Sequence, residues 1–275
     1  MRTAVNPFIR TLMQDECLSE SATAFWSGEA ISLEGIAGSS CALAAAALFQ
    51  YGNDSMIIIT PNAETAEQIA EDVTLFLAPE GVPEYRLNNN DVLHFPPMMQ
   101  REYESETALA IADESFGERV HVLKQLVNQR KRRFIVVVSM PALLQPVPTP
   151  LLLKERTQTL TVNSRVDLEV LRRFLVEGGY HSTTAVDLPG EFAVRGYILD
   201  LFAPDWEHPV RIEFFNDVIE SIRRFDLTTQ RSLENLQEID PTRLQPHECA
   251  GASLLDYFPV STPIVLVEPE TMQGH

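Results

Sequence analysis

Three short apolar runs constrain this chain more than any other feature: Met56–Thr60 (MIIIT), Phe134–Val138 (FIVVV) and Pro263–Val267 (PIVLV). They do not alternate with polar residues, so each reads as a strand buried on both faces, the habit of parallel sheets covered by helices. Parallel neighbours need long crossovers. One is visible after the first run: Ala63, Ala66, Ile69, Ala70, Val73, Phe76 and Leu77 fall on one helical face. Asn62 is the expected N-cap, with Glu64 and Glu67 near the start. Around it, Ala30–Leu33 reads as a short strand, Gly35–Ser40 as a small-residue loop and Cys41–Gln50 as an Ala-rich helix. Val82–Met99 reads as irregular, and a helical stretch ending in Val120, Leu123, Leu126 and Val127 precedes Phe134. Strands alternating with helices predict an α/β sheet.

Pro141, Pro146, Pro148 and Pro150 then crowd ten residues. They disfavour both helix and central strand, so a connector is expected. Beyond it the pattern changes. Gln158–Val162 reads as a strand, and Leu168, Leu171, Phe174 and Leu175 form a helix face that stops at Gly178-Gly179. Val194–Phe202, Pro209–Phe215 and Val218–Phe225 follow as strands, the last two joined by a tight turn at Asn216-Asp217. This predicts a small antiparallel α+β domain. Pro263–Val267 resembles the first two apolar runs, so the chain is expected to return to the first sheet after an insertion. The expected boundaries are 1–150, 151–239 and 240–275.

Lys+Arg total 21 against 39 Asp+Glu, a net charge of −18. That balance repels a phosphate backbone and points to a protein partner rather than nucleic acid. Cys17, Cys41 and Cys249 are scattered, which argues against a disulfide framework or a zinc site and fits a reducing compartment. No apolar run approaches the about 20 residues of a membrane span. Arg2, Arg10, Asp15 and Glu16 break up any N-terminal signal. A cytoplasmic protein without a membrane partner is expected. The six histidines are dispersed, and neither GxSxG nor HExxH occurs, so no catalytic or metal-binding residue is expected.

One loop invites a nucleotide. A phosphate loop needs GxxxxGK[ST] between strand and helix: backbone amides cradle the phosphates, Lys reaches the terminal oxygens, and the hydroxyl binds Mg²⁺. Here the expected strand Ala30–Leu33 precedes Gly35-Ile36-Ala37-Gly38-Ser39-Ser40-Cys41-Ala42. Ser40 stands where the second Gly belongs, Cys41 where Lys belongs and Ala42 where Ser or Thr belongs. The frame Gly35, Gly38, Ser40, Cys41, Ala42 therefore reads as degenerate, not expected to bind nucleotide. Asp113-Glu114 reads as a solvated helix face rather than a Mg²⁺ acid pair, and Arg130–Arg133 as cations complementing a helix end.

In Val210–Phe214, alternation puts Val210, Ile212 and Phe214 on one face and Arg211 and Glu213 on the other. With Arg195 on an expected neighbouring strand, these charges suit a polar protein interface. Spacing alone favours cross-strand ion pairs on a solvated face.

A family resemblance bears on that choice. Pro189-Gly190-Glu191-Phe192-Ala193-Val194-Arg195-Gly196-Tyr197-Ile198-Leu199-Asp200-Leu201-Phe202 resembles the GEFAVRGGILDIF segment of bacterial transcription-repair coupling factors. Residues 209–217 and 219–223 resemble the following PVRIEFFGDEIESIR segment, and 225–232 its FD…TQRS close. Gly35–Ala42 and Gly178-Gly179-Tyr180 also fit. The resemblance covers nearly the whole chain, but only the N-terminal module of that family, which is similar to the excision-nuclease subunit UvrB with its ATPase machinery decayed. It implies an α/β fold: a degenerate P-loop parallel-sheet domain at 1–150, an inserted small α+β domain at 151–239 that binds UvrA, and a truncated return segment at 240–275. Arg195, Arg211 and Glu213 would carry the UvrA contact, bringing nucleotide excision repair to stalled RNA polymerase. No catalysis and no cofactor are implied for this fragment. ATP, Mg²⁺, RNA polymerase and duplex DNA would belong to the translocase motor and other modules of the full-length protein. The alternative is a nucleotide-binding, DNA-processing ATPase with an unusual phosphate loop.

Two departures matter. Ala193-Val194-Arg195-Gly196 stands where UvrB has Arg-x-Arg-Gly, so one basic contact is absent. Val82–Glu104 offers only Tyr85 and Tyr103 and is too short for UvrB's Tyr-rich DNA hairpin. The end, PIVLVEPETMQGH, reads as a chain cut within a domain.

Overall fold

A computed structural model describes residues 6–78, 91–98, 114–128 and 133–274. The chain forms two compact units, one from Met1–Pro97, Gln129–Gln145 and Phe258–His275, the other from Met98–Asn128 and Pro146–Tyr257. The architecture is mixed α/β, with one parallel sheet and further sheets. Among the described residues no helix is long and apolar enough to cross a membrane.

The first unit holds the parallel sheet. Its strands are β1 (Met56–Thr60), β2 (Val92–Phe95), β3 (Ile135–Ser139) and β12 (Ile264–Leu266), in the order β12-β1-β3-β2. Every residue of β1 and β3 is buried, as continuous apolar runs require. The third apolar run pairs parallel with the first, Ile57 opposite Ile264 and Ile59 opposite Leu266. Helices α1 (Pro7–Leu12), α2 (Glu16–Trp26), α3 (Ser39–Tyr51) and α4 (Ala63–Leu77) belong to the same unit. Ala42, Ala45, Ala46 and Phe49 of α3 and Ala66, Ile69, Ala70 and Val73 of α4 share a core with Met56, Ile58, Ile135 and Val137. Asn62 caps α4, its Oδ1 accepting from the Thr65 amide at 2.9 Å.

Ala30–Leu33 is not a strand: it runs without a ladder partner. The two edges of β1 are taken by β3 and β12. The cation at Arg133 does meet a helix end, but that of α3. Its Nη1 donates to the Phe49 carbonyl at 2.7 Å and to Gly52, and its guanidinium lies 4.3 Å from the Phe49 ring centroid. Carbonyls orphaned at the helix C-terminus are thereby satisfied. Arg130–Arg132, Asp113, Tyr85 and Tyr103 lie outside the described residues.

The proline-rich stretch is not free of helix. Met140–Leu143 (α6) and Pro150–Arg156 (α7) are short helices with Pro141 and Pro150 in their first turns. A first-turn residue has no intrahelical use for its N–H, so proline costs nothing there. The Ser139 and Thr149 hydroxyls cap them, accepting from Ala142 at 3.3 Å and Leu152 at 3.1 Å.

His94 on β2 is partly buried, and among the described residues its Nε2 has no hydrogen-bond partner. Burial pushes its pKa below the usual 6.5, against the opposing pull of Glu67 and Glu71. The unfolded chain then binds this proton first, so the contribution of His94 to stability is full above 6.5 and falls as pH drops below it. Urea melts at pH 7.5 and 5.5 should show a smaller pH-dependent loss for His94→Gln than for the parent. Equal losses would mean that His94 titrates as it does in the unfolded chain.

The second unit carries a six-stranded sheet, ordered β10-β9-β8-β7-β6-β5. Its strands are β5 (His181–Ser182), β6 (Glu191–Arg195), β7 (Ile198–Phe202), β8 (Val210–Phe215), β9 (Val218–Phe225) and β10 (Ser232–Leu236). Helix α8 (Leu168–Glu177) contributes Leu171 and Leu175 to a core with Phe192, Leu199, Leu201, Val210 and Ile212. A separate pair, β4 (Leu160–Thr161) with β11 (Glu238–Ile239), is antiparallel. Val194–Phe202 is not one strand but a hairpin. Gly196 at φ +60° takes the left-handed turn that separates β6 from β7. The turn at Asn216-Asp217 forms as expected, with Asn216 at φ +55° between paired Phe215 and Val218.

The stretch ending in Val127 is α5 (Glu114–Val127) in its described part, and it belongs to the second unit. Its Lys124 is 7% exposed. The ammonium reaches Asp205 Oδ2 at 2.6 Å, Asp240 Oδ1 at 3.1 Å and the Asp240 carbonyl at 2.7 Å. Burial alone would push its pKa down, but the two aspartates more than offset this and hold the lysine charged.

Candidate protein-binding face

Antiparallel pairing puts directly opposed residues on one side of a sheet. Two rows therefore define the face of the six-stranded sheet that points away from the Leu171–Ile212 core. One row runs Ala193, Asp200, Arg211, Arg223, and the next runs Arg195, Ile198, Glu213, Ser221. Val210, Ile212 and Phe214 are buried on the other side, while Arg211 and Glu213 are only partly covered, as the alternation in β8 predicts. Arg195, Arg211 and Glu213 thus share one face. Arg195 is not on a strand neighbouring β8, however: β7 lies between, because Gly196 divides the segment in two.

Each of the three is held by a partner. Arg195 donates through Nε and Nη2 to the Thr184 carbonyl, at 3.2 and 2.7 Å. Arg211 grips both oxygens of Asp200, Nε to Oδ1 at 2.6 Å and Nη2 to Oδ2 at 2.9 Å. These bonds push its pKa further above the ordinary guanidinium value. Glu213 accepts from the Ser221 hydroxyl at 2.7 Å and pairs with Arg223. The cross-strand ion pairs therefore exist, and they order the face rather than leaving its charges loose.

Four residues of this face or its rim escape a reading of the sequence. Asp200 and Arg223 become partners of Arg211 and Glu213 only through the register. The other two, Tyr197 and Phe215, sit beside the hairpin turns at 62% and 68% exposure. Strands β6 and β8 run the same way, so both turns lie at the same end of the sheet. The signal available was the ILDLF alternation, which puts Asp200 on one side between the inward Leu199 and Leu201. Exposed aromatics beside arginines are the composition of interface centres.

The Gly35–Ala42 loop offers less. Gly35 and Gly38 adopt positive φ, and Ser39 opens α3 with no side-chain cap. The amides of Ser40 and Cys41 bond to the Ala37 and Gly38 carbonyls at 3.2 and 2.9 Å, which takes two donors from any phosphate cradle. Burial raises the Cys41 pKa and the Glu268 carboxylate adds to it, so the thiol stays neutral beside a negative charge. Among the described residues no group of three His, Cys, Asp or Glu gathers as metal ligands.

The family model described as "UvrB interaction domain" matches residues 159–243, which contain the whole six-stranded sheet. Transcription-repair-coupling factors are among the similar curated proteins. That of Bacillus subtilis is 31% identical over 225 residues, 80% of this chain and 18% of its own length. That of Myxococcus xanthus is 32% identical over 213 residues, covering 78% and 17%. The chain belongs to the transcription-repair-coupling factor family. A third relative, from Staphylococcus aureus, is 30% identical over 195 residues, 70% of the chain. The chain thus spans less than a fifth of the length of these coupling factors. Arg195, Arg211 and Glu213 all fall inside the UvrB interaction domain, and Gly35–Ala42 falls outside it.

Proposed function

We propose that this chain is the recruitment module of a transcription-repair coupling factor and binds UvrA through the outer face of its six-stranded sheet. The observation that carries this reading is the coincidence of the UvrB interaction domain with a sheet whose outer face is ordered and carries arginine, glutamate and exposed aromatics. Arg195, Arg211 and Glu213 supply its polar contacts, and Phe215 and Tyr197, beside the hairpin turns, its apolar ones. The module does no chemistry. Its loop at Gly35–Ala42 is a degenerate phosphate loop that holds no nucleotide, because Cys41 offers no cation where Lys would stand. Within the full-length protein, which we place in the cytoplasm, an ATP- and Mg²⁺-dependent motor, RNA polymerase and duplex DNA engage other segments. The module thereby links UvrA to a stalled polymerase.

Calorimetric titration of the chain with UvrA tests the reading: saturable one-site binding is expected, with no heat from Mg-ATP alone. No association with UvrA at tens of micromolar would overturn it. Micromolar affinity for Mg-ATP would overturn the account of the loop.

A further inference from the structure

Asp200 is 5% exposed, on a sheet face where Ala193 is buried beside it and Arg211 and Glu213 are only partly covered. Carboxylates are seldom buried this deeply unless paired. Both of its oxygens are taken by the Arg211 guanidinium, in the two-pronged geometry that fixes an arginine plane. Two further neighbours hold that plane. The guanidinium carbon lies 4.7 Å from the Phe225 ring centroid, and Nη2 also donates to Gln230 Oε1 at 3.3 Å. Gln230 is itself tied down in the left-handed region at φ +56°, with its Nε2 on the Leu227 carbonyl at 2.9 Å. Strand β7, strand β9 and the turn after it thus converge on one side chain. Among the described residues Nη1 takes no hydrogen bond, and a quarter of the side chain remains exposed.

Resting on the reading that this face binds UvrA, we infer that Asp200 is a positioning residue for the contact: it presets the Arg211 guanidinium before the partner arrives. A free arginine is ordered at the moment of binding and the complex is weakened by that entropy, whereas here the ordering belongs to folding. Asp200 itself makes no contact with the partner.

The test is UvrA affinity by calorimetry with the full chain, comparing the parent, Asp200→Asn, Arg211→Ala and the double variant, with circular-dichroism melts as the folding control. Asp200→Asn keeps the shape and loses the charge. It should weaken binding about tenfold, which corresponds to about 1.4 kcal/mol of side-chain ordering. In the Arg211→Ala background the same change should have no further effect. Arg211→Lys keeps the charge but not the fork, and should bind about as weakly as Asp200→Asn. It serves as the second probe if Asp200→Asn melts early. Parental affinity in either Asp200→Asn or Arg211→Lys would overturn the inference. So would a loss from Asp200→Asn that persists without Arg211, because it would mark a merely structural role. A parent that does not bind UvrA would instead overturn the functional reading.

Discussion

Lys124→Met should destabilise the second unit by about 3–5 kcal/mol, the cost of removing one partner from a buried ion cluster. Methionine matches the lysine stem, so packing is kept and the loss is electrostatic. What remains is Asp205, with a side chain 3% exposed, facing Asp240 without a cation between them. Asp205 already carries one oxygen that finds no hydrogen-bond partner among the described residues. Water cannot readily replace the ammonium at so buried a carboxylate. Adding Asp205→Leu to Lys124→Met should recover much of the loss, because it deletes the stranded charge. Urea melts followed by circular dichroism measure both variants. A loss below about 1 kcal/mol for Lys124→Met would show that the cluster contributes little beyond its packing.

Arg211→Ala should also destabilise, which a reading of Arg211 as a free surface charge would not anticipate. An exposed charge usually changes stability by less than about 0.5 kcal/mol. Arg211 is instead the counter-ion of Asp200, whose side chain is only 7% exposed. Its loss leaves a carboxylate deprived of two hydrogen bonds, and the truncation uncovers the Phe225 ring. The expected cost is near the lower end of the about 3–5 kcal/mol range, because Arg211 is a quarter exposed and water can partly reach the site. Asp200→Leu combined with Arg211→Ala should be more stable than Arg211→Ala alone. Thermal melts of the three proteins decide it. If Arg211→Ala melts with the parent, Asp200 is solvated well enough to stand alone. Any UvrA-binding measurement on Arg211 variants has to be made below their lowered melting temperature.

Arg195→Ala differs from both. Its partner is a backbone carbonyl, that of Thr184, on an exposed stretch where water substitutes freely. For that residue a change in UvrA affinity can be read with little correction for folding.

What the sequence determined by itself is whatever depends on local pattern. The apolar runs at Met56 and Ile135 fixed two buried strands, the three- and four-residue spacing fixed α4, and Asn62 capped it. Alternation in Val210–Phe214 sorted β8 into an inner and an outer face, and Asn216-Asp217 supplied the hairpin turn. These signals are legible because each rests on period, capping or turn chemistry within about a dozen residues. Local pattern failed at Ala30–Leu33, which forms no ladder despite its apolar residues, and at Pro141 and Pro150, where helix position decides whether proline harms. The tertiary structure alone decided which charges meet. Asp200 and Arg211 are 11 residues apart, Lys124 and Asp205 81, and Lys124 and Asp240 116. The Asp200–Arg211 pair follows from strand register and the Lys124 pairs from the packing of α5, and the latter lie far beyond any local window. Which opposite charges meet, and whether their attraction offsets the cost of leaving water, is set by the fold, whereas composition records only that the charges exist.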